Sequence, residues 1–192
     1  MFVSLIHRLR DMQGIKPASA IHRRRLPTAP ARLIDGLPEL GNVLYVPMCP
    51  DGTVLRELPR GLLVETMQLA PLLQTCTLCA ASAISVEGPR EWIDCLDREG
   101  RSCARLHLLP DTDYLAWDRL LEPGQPAADP SAYRLRPSRP ACARVLRFHT
   151  RQLAGLTVLG AEIRMPISPL ARQLAGQIAR AEAVPLQPAT SG

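Results

Sequence analysis

The fold is decided by the stretch Trp92–Leu121, which reads WIDCLDREGRSCARLHLLPDTDYLAWDRLL. Trp92, Asp94 and Leu96 alternate with Ile93, Cys95 and Asp97. A period of two indicates a β-strand. Asp97–Gly100 has the composition of a tight turn, and residues 102–108 continue as a second strand. The stretch therefore predicts an antiparallel hairpin.

A helix follows this hairpin. Asp111 or Thr112 is expected to cap its N-terminus, and Asp113 lies where the helix dipole favours a negative charge. The helix is predicted to run to about Leu121. Its expected apolar face is formed by Leu115, Trp117, Leu120 and Leu121.

A further strand is predicted before the hairpin. Residues 76–86 are apolar and rich in small side chains, which is typical of a strand buried on both faces. Residues 87–90 have the composition of a turn. Residues 76–108 are thus predicted to form three consecutive antiparallel strands.

The N-terminal part carries weaker signals. Residues 1–25 indicate a short helix followed by a basic connector, Ile21–Arg25, for which a solvated charge run is favoured over a binding site. The other predicted elements are a helix over 29–40, strands at 42–46 and 53–57 about a turn at 50–52, a strand at 61–65, and a short helix or irregular segment at 67–74.

The C-terminal part follows a loop rich in proline. Strands are predicted over 141–150 and 156–165, and Ser168–Pro169 has the pattern of a helix start. The expected apolar stripe of that helix is Leu170, Leu174, Ile178 and Ala181. The predicted organisation is a module over 1–122, a loop or linker over 123–140, completion of the same domain over 141–184, and a tail over 185–192.

Composition restricts the class of protein. The chain has 192 residues, 46% of them hydrophobic, which is enough for a packed core. No apolar run is long enough to span a membrane, and the first ten residues reverse the charge order of a signal peptide. A cytoplasmic protein is expected. The net charge of +5 permits nucleic acid but does not favour it strongly.

The cysteines and acidic residues have ordinary explanations. Cys76 and Cys79 have the spacing of a redox or zinc pair, but no second pair follows and they lie in a predicted strand. Buried structural thiols are the favoured interpretation. The aspartates at 94, 97, 111 and 113 are assigned to turns, capping and strand exposure, so no catalytic residue is predicted.

Two histidines are candidates for metal or ligand binding. His107 lies on the third predicted central strand and His149 on a later strand, and one face of the sheet could carry both. Neutral imidazole is a common metal ligand. An ordinary surface or core histidine is the favoured alternative.

Residues 40–121 resemble the haem-utilisation proteins of Gram-negative bacteria, the HemS/HmuS and ChuX/HutX superfamily. The resemblance rests on Leu40-Gly-Asn-Val43, on Trp92–Gly100 as the hairpin, on Arg105 and Leu108 after it, and on Asp111-Thr-Asp113 with Trp117 at the helix. Cys95 and Leu96 replace the two hairpin aromatics of the family. This chain also has no histidine between His22 and His107.

The resemblance implies an α+β fold with a saddle-like antiparallel sheet and helices packed on one face. It implies a haem-binding or haem-trafficking protein of a bacterial haem-uptake system, with other proteins of that system as partners. A bound haem would take His107 or His149 as its iron ligand, or the arginines at 105 and 147 would hold only its propionates. Haem degradation is known for some two-module relatives, but this chain is expected not to be an enzyme.

Two rival functions remain open. One is a haem-free module of the same fold that binds a protein through the C-terminal helix, with Arg172 and Arg180 on its polar side. The other is a nucleic-acid-binding protein that uses residues 21–25 and 134–151, although aromatic residues for base stacking are few. An exposed sheet edge can pair with a second copy, so a homodimer is compatible with the sequence.

Overall fold

A mainly antiparallel β-sheet forms the centre of the protein. The computed structural model describes residues 21–49, 59–85, 88–122, 139–163 and 167–187. The predicted α+β class is confirmed. The strands are β1 (His22–Pro27), β2 (Asn42–Cys49), β3 (Leu62–Val64), β4 (Thr77–Ser85), β5 (Gly88–Leu96), β6 (Ser102–His107), β7 (Arg139–Pro140), β8 (Arg144–Leu153) and β9 (Leu156–Glu162). The α-helices are α1 (Pro30–Gly36), α2 (Tyr114–Leu120) and α3 (Pro169–Ala181), and 3-10 helices span Leu37–Leu40 and Met67–Gln74.

The three central strands are adjacent in space, as predicted. The strand order is β1-β4-β5-β6-β2-β8-β9-β3, with β7 paired to β2. Every pairing is antiparallel except that of β3 with β9. The predicted turn over 87–90 is too long, because β5 already begins at Gly88, which pairs with Ser85.

The helices lie on both faces of the sheet, rather than on one face as the resemblance implied. Alternation along β2 places Tyr45 in one core cluster and Leu44 and Val46 in another. The first cluster contains residues of α1, α2 and both 3-10 helices, and its side of the sheet is here called the α1/α2 face. The second contains the buried side chains of α3, and its side is called the α3 face.

The basic segment Ile21–Arg25 is not a connector, and that prediction was wrong. His22–Pro27 is a strand in register with β4. Leu26 lies opposite Leu78 in the core, which anchors the strand. The arginines alternate along β1, and Nη2 of Arg24 donates to the carbonyl of Leu121 at 2.9 Å. The helix predicted before this segment lies outside the described residues.

Other predictions were confirmed or fall outside the described ranges. The predicted helix over 29–40 is divided at Gly36 into α1 and a 3-10 helix that has a proline in its first turn. The hairpin turn at 50–52, the strand predicted at 53–57 and most of the loop over 123–140 lie outside the described residues. Residues 139 and 140 pair with β2.

The cap of α2 is Asp113, not Asp111 or Thr112. The Asp113 side chain accepts a hydrogen bond from the backbone N–H of Ala116 at 2.9 Å. Thr112 cannot serve because its hydroxyl accepts from the N–H of Leu109 at 2.9 Å and donates to the carbonyl of Asn42. Leu115, predicted to be apolar and inward, is 72% exposed. The inward residues of α2 are Ala116, Trp117 and Leu120.

Helix α3 begins as predicted but buries a different stripe. Ser168 caps it by accepting from the N–H of Ala171 at 3.1 Å. Leu170 is 61% exposed. The buried residues are Ala171, Ala175, Ile178 and Ala179, so Ile178 is the one residue of the predicted stripe that is fully buried.

The predicted tail is also partly structured. The N–H of Gln187 donates to the carbonyl of Ala143 at 2.9 Å, and the N–H of Ala143 donates to the carbonyl of Pro185. The segment after α3 is therefore fastened to the start of β8. Within the described part of the chain, no helix has the length and apolar character that crossing a bilayer requires.

Candidate functional site

Two rows of side chains cross the α3 face of the sheet from β5 to β2. Directly paired residues of neighbouring strands project to the same face, so each row is defined by the register. The rows are Asp94–Arg105–Val46 and Trp92–His107–Leu44. Polar residues therefore lie beside the apolar core under α3.

Arg105 joins the sheet to the end of α3. Its Nε donates to Oδ1 of Asp94 at 2.7 Å, and its Nη1 donates to Oε1 of Glu182 at 2.5 Å. The indole Nε1 of Trp92 donates to the other oxygen of Asp94 at 3.2 Å. The guanidinium carbon of Arg105 lies 5.8 Å from the centroid of the Trp92 ring, within the range of a cation–π contact.

His107 is buried among these groups. Its side chain is 4% exposed, and neither ring nitrogen has a hydrogen-bond partner among the described residues. Burial, and after it the positive charges of Arg105 and Arg90, lower the pKa of His107 to about 3. The imidazole is therefore neutral at physiological pH.

Glu182 covers one edge of this ring. Its Oε1 lies 3.7 Å from Nε2 of His107, which is too long for a hydrogen bond. Trp92 covers another side, with 6.2 Å between the ring centroids and 37° between the ring planes. The ring nitrogens are consequently closed off from solvent by side chains of the protein.

The second pair of predicted site residues lies on β8. Arg147 is exposed, and it lies opposite Asn42 and Glu162 in the register. His149 is 44% exposed in its side chain, and its Nε2 lies 3.3 Å from Oε2 of Glu65. Hydrogen bonding from Arg151 is the main reason that the pKa of Glu65 is lowered.

The structure does not bring the two histidines together. Both project to the α3 face, as the sequence allowed, because His107 is aligned through Leu44 with Val145 of β8. His149 lies four residues further along β8, which corresponds to roughly 13 Å along the strand and roughly 10 Å across two strand spacings. This separation far exceeds the span of one metal ion. A single iron can therefore bind only one of them.

Two clefts lie near this region. The larger, about 400 Å³, is formed by α3 and the segment that follows His107. Its lining residues are Pro89, Glu91, Leu108, Leu109, Pro110, Tyr114, Leu170, Gln173, Leu174 and Gln177. The other, about 260 Å³, lies at the β1 edge and includes Arg24, Ser82 and Trp117.

The aspartates do not all have the predicted roles. Asp97 shapes the hairpin turn by accepting from the N–H groups of Glu99 and Arg101 at 2.8 and 2.9 Å. Although burial acts to raise the pKa of Asp97, these bonds and the Arg101 side chain lower it. Asp94 was predicted to be exposed, and that was wrong. It is buried at 1% exposure because Arg105 and Trp92 satisfy its oxygens.

Cys76 and Cys79 are both free cysteines, and they differ in their surroundings. Cys76 precedes β4 and lies beside the carbonyl of Leu96, at 3.6 Å, whereas Cys79 is buried inside β4. Burial is the main cause that raises the pKa of both thiols. In the described ranges, no group of three or more potential metal-ligating side chains is present.

Sequence reasoning missed Glu182 and the joint role of Trp92 and Asp94. The contact of Trp92 and Asp94 with the site could have been predicted from the sequence. The predicted hairpin places both residues on the same face as Arg105 and His107. Nothing in the sequence pattern indicated that the residue after α3 would reach β6.

Comparison with known proteins gives distant likenesses. No family model and no curated protein matches the chain. The haem-degrading enzyme ChuS of Escherichia coli O157:H7 is 16% identical, with a TM-score of 0.37, over 52% of this chain and 33% of that chain. The haem-binding protein PhuS of Pseudomonas aeruginosa is 19% identical, with a TM-score of 0.33, over 56% and 40%. The matched region is thus well under half of each of those proteins.

Proposed function

We propose that the protein binds haem, with His107 as the iron ligand and Arg105 as the partner of a propionate carboxylate. The observation that carries this proposal is the His107 imidazole, a neutral ring with both nitrogens buried and unpartnered among the described residues. The resemblance of residues 40–121 to haem-utilisation proteins also supports haem as the bound molecule.

A buried ring without partners has a physical cost. Leaving a buried donor or acceptor unsatisfied destabilises a protein by about 1–3 kcal/mol. Neutral imidazole is the form that binds metal, so the burial that creates this cost also prepares the ring as a ligand. Haem would supply an iron centre for the ring nitrogen, a flat apolar surface and two carboxylates.

The neighbours of His107 fit those properties. Trp92 offers an aromatic ring beside the imidazole, and Arg105 offers a guanidinium that binds carboxylates in a defined orientation. Leu108 and Leu109, the next two residues of the chain, line the larger cleft. Glu182 closes the ring nitrogen off, so ligand binding requires this side chain to move.

The proposed biological role is cytoplasmic haem trafficking within a bacterial uptake system. The five cysteines whose side chains are described are all free thiols, as is usual in a reducing compartment. The proposal concerns binding, not degradation. Haem degradation is the activity of ChuS and is not proposed for this chain.

Titration of the purified apo-protein with hemin tests this proposal. We expect a saturable one-to-one shift of the Soret band at micromolar protein, a different spectrum for His107→Ala, and no change for the control His22→Ala. If His149→Ala alone changes the spectrum, the ligand is His149 and Arg147 becomes the candidate propionate partner. The absence of a saturable shift in the wild-type protein contradicts haem binding.

One observation favours a second candidate function. Leu170 and Tyr114 are exposed and border the larger cleft, and Leu115 is exposed nearby on α2. Exposed apolar side chains around a cleft are typical of a protein-binding surface. A haem-free interaction module that uses α3 is therefore the alternative, and the hemin titration separates the two.

A further inference from the structure

The carboxylate of Glu182 occupies a defined position between two functional groups. Its Oε1 is 2.5 Å from Nη1 of Arg105 and 3.7 Å from Nε2 of His107. A charge-assisted bond to the guanidinium holds it there. The oxygen therefore fills the space in front of both groups that are proposed to bind a ligand.

Arg105 has two carboxylate partners that differ in their attachment. Asp94 is 1% exposed, lies in the middle of β5 and also accepts from the Trp92 indole. Glu182 follows the last residue of α3, and its side chain is 21% exposed. The Asp94 contact is thus part of the sheet, whereas the Glu182 contact can open by rotation of one partly exposed side chain.

The backbone around Glu182 does not need to move for this opening. Its N–H donates to the carbonyl of Ile178 at 2.9 Å, which keeps the residue at the helix end. The following segment, through Gln187, is fastened to β8 by hydrogen bonds to Ala143. The side chains of Arg105 and Glu182 are each 21% exposed, so this ion pair lies at the edge of the buried site.

We propose that Glu182 is a built-in occupant of a carboxylate-binding site formed by Arg105 beside His107, and that a carboxylate-bearing ligand binds by displacing it. The exchange replaces one carboxylate by another, so Arg105 keeps a charge-assisted partner throughout. The proposal rests on the proposed function in that the intended ligand is haem.

The site can be tested without haem by chemical rescue. Glu182→Ala removes the occupant and leaves Arg105 with an empty carboxylate position. Sodium propionate is the probe, and sodium chloride at equal ionic strength is its control. We expect the variant to have a lower Tm than the wild type and propionate to restore at least half of the loss, whereas the wild type does not respond.

A matched variant controls for general loss of an ion pair. Glu39→Ala breaks the exposed pair with Arg119, in which Nη2 and Oε2 are 2.9 Å apart, and should show no response to propionate. If Glu182→Ala responds no more than Glu39→Ala or the wild type, the carboxylate site is disproved. Glu182→Gln provides a second variant of nearly the same size in case the alanine variant does not fold.

Hemin binding distinguishes this inference from the proposed function. If both hold, Glu182→Gln binds hemin roughly tenfold more tightly than the wild type, because the ligand no longer competes with an internal carboxylate. An unchanged or weaker hemin affinity in this variant contradicts the displacement. If propionate rescues the variant but hemin does not bind, the carboxylate site is supported and haem binding is contradicted. If hemin binds but propionate does not rescue, haem binding is supported and the carboxylate site is contradicted.

Discussion

Arg105 and Asp94 form a hydrogen-bonded ion pair across β6 and β5, with 2.7 Å between Nε and Oδ1. Asp94 is buried, and Arg105 is 21% exposed in its side chain. Breaking a buried pair by removing one charge is strongly destabilising, but partial exposure of the partner reduces the effect.

Asp94→Asn should therefore lower the free energy of unfolding by about 1–3 kcal/mol. Urea denaturation followed by circular dichroism measures this loss. Asp118→Asn is the control because Asp118 is exposed on α2. Equal stability of the two variants would show that the pair does not contribute to the fold.

His107 predicts a specific loss of stability in acid. A histidine in the unfolded chain titrates near pH 6.5, whereas burial holds the pKa of His107 at about 3 in the folded protein. Between these values the unfolded state binds a proton that the folded state does not. As the pH falls below about 6.5, the pKa of a free histidine, the free energy of unfolding should thus fall by about 1.4 kcal/mol for each pH unit.

The comparison with His107→Gln isolates this effect. Other groups, such as Asp97 and Glu65, also have a lowered pKa and lose their stabilising contribution in acid in both proteins. We expect the wild-type stability to fall more steeply than that of the variant between about pH 6 and pH 4. Parallel curves would contradict the neutral buried state of the ring.

The hydroxyl of Thr112 is expected to stabilise the fold. Its buried hydroxyl connects the N–H of Leu109 to the carbonyl of Asn42, so it ties the end of β6 to β2. Thr112→Val keeps the shape and removes both bonds, which should cost about 1–3 kcal/mol of stability. Thr112→Ser retains the hydroxyl and is the control in the same thermal unfolding experiment. A valine variant as stable as the serine variant would show that the two Thr112 hydrogen bonds do not stabilise the fold.

The central strands could be predicted from sequence because their signals are local. Alternation over 92–97 and the turn around Gly100 fix the β5–β6 hairpin, and Gly100 adopts the positive φ of 74° that such a turn favours. The start of α3 was equally clear from Ser168 and the proline after it. Each of these elements was confirmed. The residues within each element are sufficient to specify it.

The errors arose where tertiary contacts override local pattern. The run of arginines after Ile21 resembles a solvated connector, but Leu26 and the free edge of β4 turn it into a strand. Leucines at 115 and 170 have the hydrophobicity of core residues, yet the helices bury alanines on the adjacent positions instead. Which side of each helix faces the sheet depends on the assembled layers and not on the helix sequence alone.

The candidate site was only partly predictable for the same reason. His107 and Arg105 share a face because they are two residues apart on one strand, which the sequence pattern contains. Glu182 is distant in sequence, so its contact with both depends on how α3 crosses the sheet. His149 lies on the same face but too far along β8 to join them.

Imidazole rescue of a glycine variant tests most directly whether the His107 imidazole binds haem iron. His107→Gly should lose the Soret band of the wild-type hemin complex and recover it when free imidazole fills the vacated position. Circular dichroism of the variant confirms that the sheet has formed. A His107→Gly complex with the wild-type spectrum in the absence of imidazole would contradict the claim.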